Sequence, residues 1–177
     1  MPSNKVASGM LVGGNVIVSD QKEANSLNQK GYFGEIGKGG KLTIPLVEAL
    51  YLVENTKLRV SKGKKVMDFD TLLAYAEERD AGAFVQYLAF SDIRDRGYIV
   101  KSGFKFGAHF RIYERGRVPG EDHAKYLIHA LPENFSMTLT EFSRLVRLGH
   151  SVKKELWIAV VDNDSGVTYY TLGRVKP

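Results

Sequence analysis

The segment YIVKSGFKFGAHFRIY, residues 98–113, contains two stretches typical of short β-strands, YIVKS and HFRIY, on either side of a loop that contains glycine. Three further strands are predicted at 124–131, 156–162 and 167–172. A helix is predicted after Pro132, because Thr138 and Glu141 have the spacing of a capping box. We therefore expect the second half of the chain to form a mixed sheet with at least one packed helix.

The first half of the chain consists of shorter elements. Two strands are predicted around Gly13-Gly14, a dipeptide that suits a tight turn. A helix is predicted at 21–30, with Asp20 as its N-cap and Gly31 just beyond its end. Further helices are predicted at 45–54, 69–79 and 83–96. This mixture of short strands and helices predicts a compact α+β unit.

A domain boundary is predicted at Asp80-Ala81-Gly82, where the pattern loosens before a helix that is apolar on most faces. We expect a small mixed N-terminal domain at 1–82 and a C-terminal domain at 83–177. The fold class is therefore expected to be α+β or α/β.

Composition excludes several classes of protein. The chain of 177 residues contains no cysteine, which excludes disulfides, thiolate metal sites and a thiol nucleophile. The uninterrupted apolar runs are about as long as 156–161, far below the roughly 20 residues of a membrane span. Residues 1–10 lack the hydrophobic stretch of a signal peptide, so a cytoplasmic location is expected. Residues 84–177 carry 14 basic against 10 acidic side chains, which indicates this half as the place for an anionic partner; the alternative is that so small a difference arises by chance.

Several cofactor motifs are absent from the sequence. It contains no GxxxxGK[ST] or GxGxxG motif for phosphate groups and no HExxH motif for zinc. Apart from a loose grouping of His123 with Glu121 and Asp122, the four histidines do not have the spacing of metal ligands with nearby carboxylates. We therefore expect neither a cofactor nor a metal.

A first candidate for chemistry is Tyr113. Strand alternation places Arg111 and Tyr113 on one face and Phe110 and Ile112 on the core face. Tyr113 would then face outward beside Arg111 and Arg115, whose positive charges stabilise a phenolate and suit a general base. The alternative is a half-buried tyrosine that fills the edge of a sheet.

A second candidate, His123, precedes a strand and follows Glu121 and Asp122. Neighbouring carboxylates favour the imidazolium form, which suits a general acid. The alternative is an exposed histidine with no role.

A third candidate is a basic stripe. Arg147, His150 and Lys154 have the i, i+3, i+7 spacing of one helix face, provided that the helix continues past Gly149. Such a stripe suits phosphate binding, and the alternative is a solvated helix face. Together the three candidates form a set for metal-independent RNA cleavage, in which a base, an acid and a fixed cation act on a 2′-hydroxyl and a phosphate.

Three stretches carry a resemblance to a known family: RGYIVKSG at 96–103, KFGAHFRIY at 105–113 and HSVKK at 150–154. They resemble the archaeal tRNA-splicing endonuclease (tRNA-intron endonuclease) family, and the order of elements matches over nearly the whole chain. The resemblance implies a C-terminal α/β nuclease-like domain. It implies Tyr113 as general base, His123 as general acid and Lys154 as transition-state stabiliser. The implied substrate is precursor tRNA folded as a bulge–helix–bulge, cleaved to a 2′,3′-cyclic phosphate and a 5′-hydroxyl without metal.

The same resemblance implies residues for RNA binding and assembly. Arg147 is similar to a family arginine that contacts the bulge, with Arg174 as its partner. Edge-strand pairing is implied for Tyr169 and Tyr170, and subunit docking for an acidic loop containing Asp162 and Asp164. These features imply a homotetramer, a dimer of dimers. The alternative assembly is a mixed tetramer with a catalytically silent paralogue. The alternative function is that of a non-catalytic RNA-binding or assembly subunit of the same fold.

One position departs from the family pattern. His109 stands where the family usually has Asp, and strand parity puts it on the Tyr113 face. The loss of a negative charge near the site would alter its pH response.

Overall fold

The computed structural model of the chain describes residues 6–175 and 177. Within these residues the chain divides into two compact units, and the division falls between Tyr87 and Leu88. This division lies inside helix α4 (Ala83–Asp95). The boundary predicted from the sequence lies earlier, at the start of the same helix. Residues 1–5, which carry part of the expectation about the N-terminus, lie outside the described residues.

The first unit contains a six-stranded mixed sheet and three helices ahead of α4. Its elements are β1 (Ala7–Val12), β2 (Asn15–Val18), α1 (Gln21–Gly31), β3 (Glu35–Ile36), β4 (Leu42–Pro45), α2 (Leu46–Glu54), β5 (Leu58–Lys62), β6 (Lys65–Met67) and α3 (Phe69–Glu77). The strand order is β3-β4-β2-β1-β5-β6. Burial alternates residue by residue along β1, so one face of the sheet carries the core and the other is exposed.

Helix α1 begins as the sequence predicts and ends one residue later. The carboxylate of Asp20 accepts hydrogen bonds from the backbone of Lys22 and Glu23, which confirms the N-cap. At the other end, Tyr32 rather than Gly31 adopts the left-handed conformation, with φ 56°. Its backbone N–H donates to Asn28, so the hydrogen bonds of a C-cap are made by a residue that is not glycine.

The second unit contains a five-stranded mixed sheet and helix α5. Its remaining elements are β7 (Ile99–Ser102), β8 (Phe110–Tyr113), β9 (Tyr126–Pro132), α5 (Leu139–Ser151), β10 (Glu155–Val161) and β11 (Val167–Leu172). The strand order is β11-β10-β9-β8-β7. Only the pair β9 and β10 is parallel among these described strands, because α5 connects them as a crossover; the other pairs are antiparallel. The predicted mixed α+β fold class is therefore confirmed.

The capping box predicted for α5 is present. The hydroxyl of Thr138 accepts from the backbone of Glu141 at 3.2 Å, and the Thr138 backbone N–H donates to the Glu141 carboxylate at 2.7 Å. These bonds hold the Glu141 pKa below its usual range, since they favour the charged form. The helix begins at this box and crosses the sheet.

The core that anchors α5 lies on one face of the second sheet. Ala108, Leu127 and Leu156 form its buried centre, and side chains from α5 pack on them, notably Leu145 and Leu148. On the other face, Phe90 of α4 contacts Phe110 of β8, with ring centroids 5.7 Å apart. β8 is thus an interior strand with packed side chains on both faces. In the described part of the chain, no helix is long and apolar enough to span a membrane.

Candidate active site

The register of three strands decides where the candidate site lies. Ile112 of β8 pairs with Tyr126 of β9, and Tyr126 pairs with Glu155 of β10, so the three residues form one row across the sheet. β8 runs antiparallel to β9, and β10 runs parallel to it. The end of β8 and the residues that precede β9 and β10 therefore lie at the same end of the sheet.

Each of the three residues expected to be catalytic occupies one of these places. Tyr113 ends β8, His123 precedes β9, and Lys154 precedes β10. A hydrogen bond draws two of these places together: the Lys154 ammonium donates to the backbone carbonyl of Ala124, the residue after His123. Residues far apart in the sequence thus lie at the same end of the sheet, because the order and directions of the strands place them there.

The position of Lys154 depends on a close approach between α5 and β10. A Cβ atom on Gly149 would lie 3.0 Å from the carbonyl oxygen of Lys154 and 3.1 Å from Leu156 Cβ. The Lys154 backbone N–H donates to the Gly149 carbonyl at 2.9 Å. Between them, Lys153 turns the chain with φ 54°, a left-handed conformation that is unusual for lysine. Glycine at 149 therefore allows the helix to end directly against the start of the strand.

The basic stripe predicted along α5 is wrong at its last member. The helix does continue past Gly149, as the prediction requires, but it ends at Ser151. Lys154 therefore lies beyond the helix, and only Arg147 and His150 lie on it. The turn at Lys153 redirects the chain, and helical spacing no longer applies after it.

Lys154 lies in a cationic cluster with Arg111 and Lys105. Partial burial lowers the Lys154 pKa, and the positive charges of Arg111 and Lys105 lower it further. The Lys154 ammonium lies 5.3 Å from the Phe106 ring centroid, and that of Lys105 lies 5.1 Å from the same ring. The Arg111 Nε atom is buried and has no hydrogen-bond partner among the described residues. The cluster can bind an anion, since it concentrates positive charge on groups whose hydrogen-bonding capacity is incompletely used.

Sequence reasoning missed the contributions of Lys105 and Phe106. Both lie in the segment Gly103–Gly107, which folds as a 3-10 turn at 104–106. The only signal was a lysine between two phenylalanines in a glycine-bounded loop, and nothing local shows that such a loop folds over the face of the sheet.

Tyr113 is buried, which corrects the expectation that it faces outward. Only 4% of its surface is exposed, because β8 is an interior strand rather than an open edge. The Arg111 guanidinium lies 6.0 Å from the Tyr113 ring centroid, as strand alternation implied. Arg115 lies instead over the ring of Tyr98, 5.0 Å from its centroid. One of the two expected arginines therefore accompanies Tyr113.

His123 is exposed at the end of a loop whose shape depends on Asp122. The Asp122 carboxylate accepts from the backbone of Val118 at 2.9 Å and from the Arg117 guanidinium at 3.1 Å. Asp122 is thus engaged in closing the loop that presents His123 beside Ala124.

Arg147 and Arg174 line a common surface pocket of about 490 Å³ together with Phe142, Val146 and Gly173. A second pocket, of about 470 Å³, shares Arg174 with the first and is lined also by His150 and Lys154. The two pockets place four basic side chains along the boundary between α5 and the end of β11.

Asp162 and Asp164 lie in the hairpin between β10 and β11. The Asp162 carboxylate accepts from the backbone N–H groups of Asp164 and Gly166, at 2.9 and 2.8 Å, so it holds its own turn. The side chain of Asp164 is exposed at the tip of this hairpin.

Tyr169 and Tyr170 lie on β11, one of the two edge strands of the described sheet. The Tyr169 hydroxyl donates to the Asp92 carboxylate at 2.6 Å, and burial raises the Tyr169 pKa. Tyr170 is 54% exposed. Tyr169 therefore packs against α4, and Tyr170 is the one of the two that remains exposed.

His109 lies at the opposite end of β8 from Tyr113, which corrects the expectation of a charge change near the site. Four residues along a strand correspond to about 13 Å. The His109 Nδ1 atom accepts a hydrogen bond from the Ala130 backbone at 3.0 Å, and its ring centroid is 5.4 Å from that of His129. His109 thus participates in a histidine pair within the fold.

Among residues 6–175 and 177, no three His, Cys, Asp or Glu side chains are arranged to hold a metal ion. The acid–base residues and cations at the end of the sheet are suited to phosphate chemistry. The fold and the site thus define a class, α+β proteins with a cationic site at one end of a mixed sheet.

Comparison with known proteins identifies the family within that class. Residues 84–169 match the sequence model of the tRNA intron endonuclease catalytic C-terminal domain, and residues 7–73 match that of the N-terminal domain. The chain belongs to the tRNA intron endonuclease family, which confirms the resemblance seen in the sequence.

Similar curated proteins cover almost the same length. A tRNA-splicing endonuclease of Thermococcus kodakarensis is 42% identical over 166 residues, which are 94% of this chain and 96% of the relative. Its counterpart from Methanothermobacter thermautotrophicus is 38% identical over 87% of this chain and 89% of the relative. The tRNA-splicing endonuclease of Pyrococcus abyssi is 37% identical over 97% of this chain and 98% of the relative. The matches support tRNA-splicing endonuclease activity.

The close approach at Gly149 leads to a first prediction. Gly149→Ala should lower the free energy of unfolding by roughly 1–3 kcal/mol, because the new methyl group overpacks against hydrogen-bonded backbone. Urea unfolding measures the change. Gly14→Ala is the control, since its Cβ meets no atom within 4 Å. A Gly149→Ala protein more stable than wild type, as expected at an uncrowded helix position, would contradict this account.

The buried His129 leads to a second prediction. Burial, together with the charge of His109, lowers the His129 pKa from 6.5 to about 4. Between these pH values the unfolded chain binds a proton that the folded chain does not, so the free energy of unfolding falls as pH is lowered through this window. His129→Leu should reduce this loss between pH 7 and pH 5, as measured by urea unfolding. His150→Gln, on the exposed side of α5, should retain it; equal pH dependence in all three proteins would refute the assignment.

Proposed function

We propose that the chain is a metal-independent endonuclease that excises introns from precursor tRNA at bulge–helix–bulge motifs in the cytoplasm. The observation that carries the proposal is that Tyr113, His123 and Lys154 lie at the same end of the second sheet. These residue types supply a base, an acid and a cation, the groups needed for cleavage by an internal nucleophile. Domains 1–82 and 83–177 remain our proposed division of the chain.

The proposed reaction begins at the ribose 2′-hydroxyl. Tyr113, as the general base, takes the 2′-hydroxyl proton, and the 2′-oxygen forms a bond to the adjacent phosphorus. The bond from phosphorus to the 5′-oxygen breaks, and His123 donates a proton to that oxygen. The products are a 2′,3′-cyclic phosphate and a 5′-hydroxyl, so no water is consumed.

Lys154 is proposed to stabilise the negative charge that develops on the phosphate. Its side chain is anchored to the Ala124 carbonyl, which limits its reorganisation during the reaction. Arg111 and Lys105 add positive charge beside it, as their effect on the Lys154 pKa indicates. The cluster would stabilise a dianionic phosphorane more strongly than it stabilises the singly charged phosphodiester.

Arg147 and Arg174 are proposed to bind the RNA bulge. They line one pocket, and the adjoining pocket reaches Lys154. Guanidinium groups bind phosphates through paired hydrogen bonds and stack on bases, so two arginines around one pocket suit an unpaired nucleotide.

We also propose that the chain assembles as a homotetramer, a dimer of dimers. β11 offers a free backbone edge, and the exposed Tyr170 side chain lies on it. Asp164 would dock into a basic groove of another copy, while Asp162 holds the hairpin that carries it.

Cleavage in the presence of EDTA tests the catalytic proposal. A bulge–helix–bulge RNA should be cut by the wild-type chain to cyclic-phosphate and 5′-hydroxyl ends, which end-group analysis identifies. His123→Ala should lower the single-turnover rate by roughly 10²–10⁴-fold, because the general acid is lost. Glu121→Ala, in the same loop, should cleave at close to the wild-type rate.

Three outcomes would contradict the catalytic proposal. Abolition of cleavage by EDTA would refute metal independence. A wild-type rate for His123→Ala would remove its assignment as the acid. RNA binding by the wild-type chain without any cleavage would instead favour the non-catalytic subunit.

Charge reversal at Asp164 tests the assembly. Asp164→Lys should lower the mass measured by light scattering, since it places a positive charge where a basic groove is proposed to bind. Glu77→Lys makes the same charge change on α3 and should leave the mass unchanged. An unaltered mass for Asp164→Lys would argue against docking of the acidic loop.

A further inference from the structure

Phe104 is 89% exposed, and it directly precedes Lys105, a member of the cationic cluster of the candidate active site. It begins the 3-10 turn at 104–106, directly before Lys105 and Phe106. The ammonium groups of Lys105 and Lys154 both lie near the Phe106 ring. An exposed aromatic residue thus stands in the same three-residue turn as Lys105, whose ammonium group shares the Phe106 ring with that of Lys154.

The turn that carries Phe104 is firmly built. The Phe106 N–H donates to the Gly103 carbonyl at 2.8 Å, and the Gly107 N–H donates to the Phe104 carbonyl at 2.9 Å. The Phe104 N–H donates to the Ser102 hydroxyl at 3.3 Å. These bonds fix the backbone from which the ring projects.

Two glycines keep this turn against the rest of the unit. A Cβ atom on Gly103 would lie 2.8 Å from the Ala108 carbonyl oxygen and from the backbone of Phe110. Gly107 has φ 70° and lies next to Leu148 of α5. The turn is therefore closely packed at its base, while its first side chain remains in solvent.

We propose that Phe104 is a positioning residue that stacks on an unpaired nucleobase of the RNA whose phosphate binds to the cationic cluster. This inference rests on the proposed function. Every base offers a π-face, and an aromatic ring beside phosphate-binding cations is the usual composition of a site for single-stranded nucleotides. Bases inside a duplex are already stacked on their neighbours, so the ring selects a nucleotide that is bulged out of the helix.

The stack would orient the RNA rather than take part in bond breaking. With a base held on Phe104 and a nearby phosphate on Lys105, Arg111 and Lys154, rotation of the intervening ribose is restricted. Restricting this rotation favours the in-line geometry that attack by the 2′-oxygen requires.

A double-mutant cycle between protein and RNA tests the stack. The RNA is a bulge–helix–bulge with 2′-deoxyribose at the cleavage positions, so that it binds without reacting. Phe104→Ala should weaken binding, measured by fluorescence anisotropy, by roughly 5- to 140-fold. Phe104→Trp should restore it, and Phe135→Ala should bind like wild type, since that ring is 49% exposed at the other end of β9. Thermal unfolding verifies that each variant is folded.

The RNA half of the cycle removes one unpaired base at a time, leaving an abasic sugar. At one position, removal of the base should weaken binding to the wild-type chain as much as Phe104→Ala weakens binding of the intact RNA. The Phe104→Ala chain should then bind this abasic RNA no more weakly than it binds the intact RNA. If Phe104→Ala weakens the binding of every abasic RNA by the same factor, the proposed stacking on a single base is overturned. A change in mass by light scattering together with that pattern would assign the ring to a contact between copies of the chain.

The same measurements separate this inference from the proposed function. A wild-type chain that neither binds this RNA nor cleaves its all-ribose form would overturn both together. Wild-type cleavage with unchanged binding by Phe104→Ala would overturn the stack alone.

Discussion

The approach of Gly149 to the backbone of Lys154 and Leu156 determines the geometry of the second unit. Because no side chain separates the last turn of α5 from the start of β10, the crossover from β9 to β10 closes tightly, and the two strands pair in parallel from their first residues. The position of Lys154 follows from that pairing. Its ammonium group then reaches the Ala124 carbonyl beside His123, so a packing constraint within the fold also sets the distance between two proposed catalytic groups.

The like charges of the cationic cluster are electrostatically unfavourable for the folded chain. Lys105, Arg111 and Lys154 repel one another, as the lowered pKa of Lys154 shows, and partial burial adds a desolvation cost. This arrangement does not stabilise the fold by itself, whereas a bound phosphate would offset both the repulsion between the cations and the cost of their desolvation. Uncompensated charge of one sign in a partly buried site is typical of a binding site rather than of a structural ion-pair network.

Local patterns were sufficient to predict most elements of the fold. The capping box of Thr138 and Glu141 and the strand at 167–172 depend on neighbouring residues alone, and both are found where the sequence places them. The burial of Tyr113 depends instead on what packs on its face of the sheet, which alternation along one strand does not show. The basic stripe was wrong at Lys154 because one left-handed residue, Lys153, ends helical periodicity without a glycine or proline to mark the place. The turn at 104–106 was missed for a similar reason, since one of the side chains beside it, Leu148, lies on α5, more than forty positions away in the sequence.

The net charge of +5 understates the positive character of the site, because many carboxylates of the second unit have structural partners. Asp92 accepts hydrogen bonds from Arg96 and Tyr169, and Asp122 and Asp162 hold the loops that carry them. Glu114 pairs with Lys125 at 2.7 Å. These carboxylates have hydrogen-bond partners of their own, whereas the Lys154 ammonium donates to a neutral carbonyl, which does not offset its positive charge. The electric field at the end of the sheet thus follows from how each charge is partnered rather than from the count of charges, and it favours a polyanion along the boundary between α5 and β11.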